Sequence, residues 1–461
     1  MPDLSLPGPL DRLAAALTPG SADYVSDQGS DVYDVTHYDL DLDYTVRTNR
    51  LVATARITVV LREAAKQLDF DLDGLTVSDV RVDGESVRRW RTRGAKLIVP
   101  LRGETGARRR LQVVVSYGGR PGPRTGPWGE VGFEELTDGA LVAAQPDGAP
   151  TWFPCNDRPS SRATYRISVT TESAYTVVAN GELVSQRRSS SRTTTVFDNP
   201  TPTAPYLATI QVGRYGAVEP EGLARGDVPQ RIYVPDRLRR RAAHDFGRQT
   251  EMMRLFVDRF GPYPFSRYDV VVTDDSLEIP LEAQTVSIFG ANHVDGRRHS
   301  ERLVAHELAH QWFGNAVGLA RWRDIWLNEG FACYSEWVWW DHLGSRRLRA
   351  TAERHHAALR DEPQDIRVAD PGAERMFDDR VYKRGALALH AVSCAVGPEA
   401  FDAIVRSWVA RHLDTVVTTD DFRAHLAAAQ PGLEDVLSPW IDEEDLPDLP
   451  PMPPAPRRRR S

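Results

Sequence analysis

His306-Glu307-Leu308-Ala309-His310 and, after eighteen intervening residues, Glu329 within Trp326-Leu327-Asn328-Glu329-Gly330-Phe331-Ala332 decide how this chain is read. Side chains four apart on a helix lie on one face, one turn above the other, so His306 and His310 can grip one ion together. Glu307 points near the same space without being forced into the coordination shell. Ser300 is the expected N-cap and Gly314 the expected stop, giving a helix over 300–313. Two neutral imidazoles and one carboxylate form the ligand set of a catalytic zinc, which keeps a position open for water. Glu329 is the natural third ligand, early in a second helical pattern over 324–343. Glu336 lies two turns further along the same face, placed to hydrogen-bond the outer nitrogen of a ligating histidine. The competing reading is a surface helix with incidental His and Glu, because five-residue matches arise by chance. A second glutamate on its own helix argues against that. The expectation is one Zn2+ per chain, held by His306, His310 and Glu329.

The chain has 461 residues, which suggests two or three domains. Hydrophobic content of 41% and charged content of 26% are ordinary for a soluble globular protein. A net charge of −8 gives no reason to expect nucleic acid. Cys155, Cys333 and Cys394 are too few and too scattered for a disulfide framework, and none has a partner at metal-site spacing. A reduced compartment fits, and Cys333 reads as a packing residue. The N-terminus lacks a basic region followed by an apolar run, and no stretch approaches 18 apolar residues. The expectation is therefore a cytoplasmic protein with no membrane partner; its oligomeric state is not readable.

Residues 1–30, rich in Pro, Gly, Ser and Asp, read as an N-terminal arm with one or two helical turns over 11–17. From Tyr33 the period changes to two. His37 to Tyr44 alternates strictly, 51–61 is a second strand, and further strands are expected at 67–70, 76–82, 96–101, 111–117, 163–170, 175–179 and 193–197. Turn signals such as Asp73-Gly74, Asp83-Gly84 and Asn180-Gly181 separate several of them. Residues 31–214 are thus an all-β saddle or sandwich domain. Within it, 118–129 reads as a solvated loop and 151–159 as a fixed one. From 215 to 445 the patterns describe a mostly helical catalytic domain. It has strands at 230–234 and 269–273 and a long helix over 237–260. Further helices are expected at 300–313, 324–343, 345–361, 379–396, 399–412, 419–429 and 433–442. The fold class is α+β. Residues 446–461 form a Pro/Arg-rich tail whose composition cannot pack a core, and it is expected to be disordered.

A zinc-bound water has its pKa lowered toward neutrality, and Glu307 can take its proton as general base. The resulting oxyanion needs a donor opposite the metal. Tyr382, at the start of a helix, can supply one from its phenol. From spacing alone an ordinary packing tyrosine is the better reading of it.

HELAHQWFGNAV (306–317), WRDIWLNEGFA (322–332), FGPYPF (260–265), FPCNDRPSSRATY (153–165), NPTPTAPYLA (199–208) and VYKRG (381–385) together resemble the aminopeptidase N family of zinc metallopeptidases. These gluzincins include the leukotriene hydrolase branch, and the resemblance runs from about Tyr33 to about residue 440. It implies a β saddle followed by a thermolysin-like catalytic domain that removes single residues from peptides with a free N-terminus. It puts Tyr382 on the tyrosine that stabilises the transition state. It also puts Glu282, twenty-four residues before His306, on the glutamate that binds the substrate's α-amine, and Gln145, ten before Cys155, on a second amine-binding position. A carboxylate facing an ammonium beside the zinc sets the cut one residue from the chain end; without that pairing the same site would cut internally.

Three departures stand out. Ile279-Pro280-Leu281-Glu282-Ala283 replaces the family's Gly-Ala-Met-Glu-Asn, keeping only the glutamate. Lys383-Arg384 replaces the usual Glu-Lys after the tyrosine. Most relatives continue into a large C-terminal helical domain, whereas this sequence stops soon after the catalytic one, so a more open cleft is expected. An endopeptidase or epoxide-type hydrolase on the same scaffold, and a non-catalytic binding module, are the competing functions.

Overall fold

The structure, a computed structural model, describes Tyr24, Val25 and residues 28–451. The helical turns expected at 11–17 and the arginines at 457–460 lie outside the described residues. The chain divides into two compact units. One takes Val25–Met253 and Tyr263–Gln311; the other takes Arg254–Pro262 and the chain from Trp312 onward, with Tyr24.

In the first unit the period-two pattern becomes a mostly antiparallel sheet. Tyr33–Thr45 pairs antiparallel with Arg50–Leu61 and parallel with Ala163–Glu172. Tyr38, Leu40, Leu42 and Tyr44 are fully buried, as alternation requires of one sheet face. These three strands form the middle of an eight-stranded sheet. Smaller sheets of three and five strands complete the β-rich part. The 151–159 loop is held in place as expected. Its Cys155 bridges to Asp71, Tyr117 Oη donates to the Trp152 carbonyl at 3.0 Å, and the Asn156 N–H donates to Tyr38 Oη at 3.1 Å.

Two expectations are corrected here, and one strand appears that the pattern does not signal. The 118–129 loop contains a strand, Pro123–Gly126, paired with Gly129–Leu136. Proline is tolerated there because it opens an edge strand, and Gly129 takes the positive φ of +98° that the tight turn needs. Glu182–Ser189 is a strand with every residue exposed; it lacks alternation because it is a charged sheet edge. The long helix over 237–260 is two, Arg239–Asp245 and Gln249–Phe260. Gly247 is a poor helix residue, and at the break Asp245 accepts from the N–H groups of Gly296 at 2.8 Å and Arg298 at 2.9 Å.

The first unit ends in a four-stranded sheet of Tyr215–Val218, Gln230–Pro235, Tyr268–Val272 and Val286–Phe289, the last three parallel. Tyr268–Val272 is buried throughout, which explains why Val270, Val271 and Val272 follow one another without alternation. The helix Glu301–Ala309 follows.

The second unit is helical. It contains Trp326–His342, Leu348–Arg360, Asp379–Val396, Pro398–His412, Thr419–Ala429 and Leu433–Asp442, with one parallel pair, Val317–Leu319 and Thr415–Val417. Phe313 stacks on Phe331 with centroids 4.1 Å apart, and Trp312 Nε1 donates to the carbonyls of Gly261 at 3.1 Å and Pro262 at 3.2 Å. Arg384, buried, donates to the carbonyls of Pro439, Trp440, Glu443, Glu444 and Asp445 at 2.6–3.2 Å. These are the orphan acceptors of a helix C-terminus and the turn after it. Side chains also tie down the described start of the Pro-rich segment. Gln364 Oε1 accepts from the Leu446 N–H at 3.0 Å, and the Pro450 carbonyl accepts from Arg349 at 2.6 Å. Composition alone does not show this. No helix among the described residues is long and apolar enough to cross a membrane.

Candidate active site

The histidine helix is shorter than its pattern. Ser300 stands at the N-cap, but its side chain makes no capping bond. The start is held instead by buried Glu301, which accepts from Arg248 at 3.3 Å; burial raises its pKa against the pull of that arginine. The helix ends at Ala309, not 313. Gly314, at φ +114°, serves the turn that follows, where its N–H donates to the Val317 carbonyl at 2.9 Å. His310 keeps helical angles as C-cap, so the four-residue geometry survives. The two imidazoles lie 4.8 Å apart between centroids.

Glu329 occupies the first turn of Trp326–His342. Asp324, just before that helix, accepts from Thr419 N at 3.0 Å and Oγ1 at 2.7 Å, and Trp326 Nε1 donates to the same hydroxyl at 2.9 Å. His306, His310 and Glu329 are all buried and each offers one ligand atom, all within 4.8 Å of one another. Two zinc–ligand bonds of ~2.0–2.2 Å span at most ~4.4 Å. Two imidazoles and one carboxylate brought this close are the donor chemistry that fits zinc.

Glu307 is 4% exposed. Its charge reaches Tyr268, a residue the sequence did not single out. Burial lifts the Tyr268 phenol above its usual range, the bond to Ser287 Oγ at 2.7 Å opposes that, and the Glu307 charge adds to it. Tyr382 is half-buried in the first turn of Asp379–Val396. Asp378 caps that helix through the Arg380 N–H at 2.9 Å, and Arg380 also binds Asp365 at 2.6 Å. Lys383 pairs with Asp379 at 3.3 Å and reaches Cys333 Sγ at 3.7 Å. Glu336 is buried. It pulls upward on the pKa of His355, which burial and the charges of Lys383 and Arg354 bring down to about 4.

Gln145 and Glu282, 137 residues apart in sequence, meet: Gln145 Nε2 donates to Glu282 Oε1 at 2.6 Å. Both line a small recess with Tyr206, Thr209, Leu281 and Ala283. The altered segment around Glu282 thus still presents its carboxylate to the expected glutamine.

Residues 244–440 match the Peptidase family M1 domain, and residues 34–207 match the Peptidase M1 N-terminal domain. The chain belongs to peptidase family M1. Its likeness to an M1 zinc metallopeptidase mutant from Deinococcus radiodurans, solved with a Tyr-Ser-Ala substrate, has a TM-score of 0.85 at 29% identity, covering 93% of this chain and 99% of that one. A two-domain M1 zinc metallopeptidase mutant bound to L-arginine aligns with a TM-score of 0.84 at 29% identity, again over 93% of this chain and 99% of that one. Aminopeptidase M1 of Arabidopsis thaliana is 25% identical over 67% of this chain and 37% of its own length. Glutamyl aminopeptidase of Mus musculus is 26% identical over 69% of this chain and 36% of its own. The chain thus spans little more than a third of the curated relatives it matches. The M1 assignment agrees with the β-rich part followed by helices and with a zinc-fitting His-His-Glu set.

Proposed function

We propose that this M1 chain is a zinc aminopeptidase that hydrolyses the N-terminal peptide bond of peptides or aminoacyl amides. The observation that carries the reading is the Gln145–Glu282 pair at 2.6 Å. A buried carboxylate held by an amide is a receptor for an ammonium, and charge-assisted pairing of this kind is about twice as strong as a neutral hydrogen bond. The names of the relatives, which include aminopeptidases, and a structural neighbour solved with a tripeptide substrate support it.

In this reading His306, His310 and Glu329 hold the ion and Glu336 orients a ligating histidine. When bound, zinc acidifies a water and polarises a carbonyl. Glu307 takes the proton from the attacking water and returns it to the leaving amine. The Tyr382 phenol donates to the oxygen on which negative charge develops. Glu282 and Gln145 bind the α-amine and so place the first peptide bond, not an internal one, beside Glu307. A cytoplasmic site of action accords with three free, buried cysteines.

The test compares aminoacyl fluorogenic amides with their N-acetylated forms, using Glu282→Ala and Glu307→Ala as controls. Turnover is expected only with the free amine. Glu307→Ala is expected to stop turnover with zinc still bound. Equal turnover of both substrates sinks the exopeptidase reading, and cleavage of a blocked internal peptide turns it into an endopeptidase.

A further inference from the structure

We propose that Gln311 is a positioning residue that fixes the Glu282 carboxylate relative to the histidine helix, and so sets the recognition of the substrate's amine. The inference rests on the assignment of Glu282 to that amine.

Gln311 directly follows His310 and is fully buried. Its side-chain amide reaches back to the Glu282 segment with both of its ends. Oε1 accepts from the Thr285 N–H at 2.8 Å, and Nε2 donates to the Ala283 carbonyl at 3.3 Å. One planar group thus grips the backbone one and three residues past Glu282. The segment has little regular structure to hold it otherwise: Leu281 makes only an isolated bridge to Ile288 before the strand begins at Val286.

The opposite side of the segment is tied as well. Asn180 Nδ2 donates to the Gln284 carbonyl at 2.7 Å and the Leu207 carbonyl at 2.8 Å, while its Oδ1 accepts from the Thr209 N–H at 2.6 Å. The Gly181 N–H donates to Thr285 Oγ1 at 2.9 Å. Between these clamps Thr285 sits at φ +67°, a conformation that β-branched residues avoid. Such a residue persists only where its surroundings over-determine it. Here they do: its hydroxyl is held by Gly181 and its N–H by Gln311. The position of Glu282 is therefore dictated by side-chain amides, and one of them is anchored next to a proposed metal ligand. A change at Gln311 moves the amine receptor without touching the metal ligands.

The experiment uses zinc-loaded full chain with two probes that share a metal-binding head, leucine hydroxamate and N-acetyl-leucine hydroxamate, with affinities from calorimetry and zinc content from mass spectrometry. Wild type is expected to favour the free amine. Gln311→Met, which removes both bonds at similar volume, is expected to lower that preference about 10-fold, the scale of one or two lost buried hydrogen bonds. It should keep one zinc per chain and an unchanged affinity for the acetylated probe. Gln311→Glu keeps the acceptor for Thr285 and loses the donor to Ala283, so it should fall between. A preference left intact in both variants, equal weakening of both probes, or loss of zinc in both variants overturns the positioning role. If wild type itself binds both probes equally, the assignment of Glu282 to the amine has failed instead.

Discussion

Replacing Gly385 by alanine tests whether one helix crossing sets the spacing between Glu329 and Tyr382. Gly330 directly follows Glu329, and Gly385 comes three residues after Tyr382. A Cβ at Gly385 would lie 3.0 Å from Gly330 Cα, and a Cβ at Gly330 would lie 3.0 Å from the Gly385 carbonyl carbon. Carbon atoms pack comfortably at ~3.5–4.0 Å, so the helices must part by ~0.5–1 Å. The stability effect should be small. Overpacking costs about 1–3 kcal/mol, while alanine regains about 1 kcal/mol of helix propensity over glycine. The net of ~0–2 kcal/mol lowers the melting temperature by only a few degrees in a unit of this size. The catalytic effect should be larger, because a misplacement of ~1 Å can cost ~100-fold. Gly385→Ala is therefore expected to lower kcat ~10- to 100-fold on an aminoacyl amide, with zinc retained. The decisive assay repeats the change in a Tyr382→Phe background. If the crossing acts by placing the phenol, the two losses are strongly non-additive. Wild-type kcat in Gly385→Ala, or a full additive loss on top of Tyr382→Phe, would refute the reasoning.

Arg384→Met should destabilise the chain by about 3 kcal/mol in urea unfolding, because several buried carbonyls lose a charged donor at once. Arg384→Lys should recover little of this, since a point ammonium cannot reproduce the guanidinium fork. His390 is buried, and burial with the nearby Arg349 charge brings its pKa down to about 4. A folded pKa below the unfolded value means that the unfolded chain binds more protons in between. Its stabilisation is then complete above about pH 6.5 and lost as pH falls toward 4, at most about 3 kcal/mol. Unfolding at pH 7.5 and pH 5 should show the loss, and His390→Leu should shrink it. Chelation should abolish turnover and lower the melting temperature, both restored by zinc; zinc at 100 times its Kd corresponds to about 2.7 kcal/mol.

The candidate metal triad is legible in the sequence because its signals are local. His306 and His310 share a helix turn, and Glu329 sits in a run of its own with strong helical periodicity. The helices 379–396, 419–429 and 433–442 appear at the expected residues for the same reason. Where tertiary partners decide the backbone, the pattern misled. Asp245 caps two distant N–H groups and helps end a helix whose periodicity runs on. Gly314 looked like a helix stop and instead closes the next turn. Pro123–Gly126 is a strand because Gly129–Gly132 lies opposite it, not because of its composition.

The departures from the family pattern separate on the same principle. Arg384 looked like a change beside the chemistry, because Tyr382 is two residues away. On a helix, two residues is about 200° of rotation, so neighbours in sequence face opposite sides. Arg384 spends all five of its described bonds on the backbone of 439–445, which makes it part of how the Tyr382 helix is anchored. The Ile279–Ala283 change differs in kind. Glu282 keeps its bond to Gln145, while the backbone around it is held by Asn180 and Gln311, residues that no local motif joins to it. A sequence comparison confined to the five altered positions counts losses there. The geometry locates the compensation in two amides, one 102 residues before Glu282 and the other 29 after it, so that the backbone carrying Glu282 is held by residues outside the altered stretch.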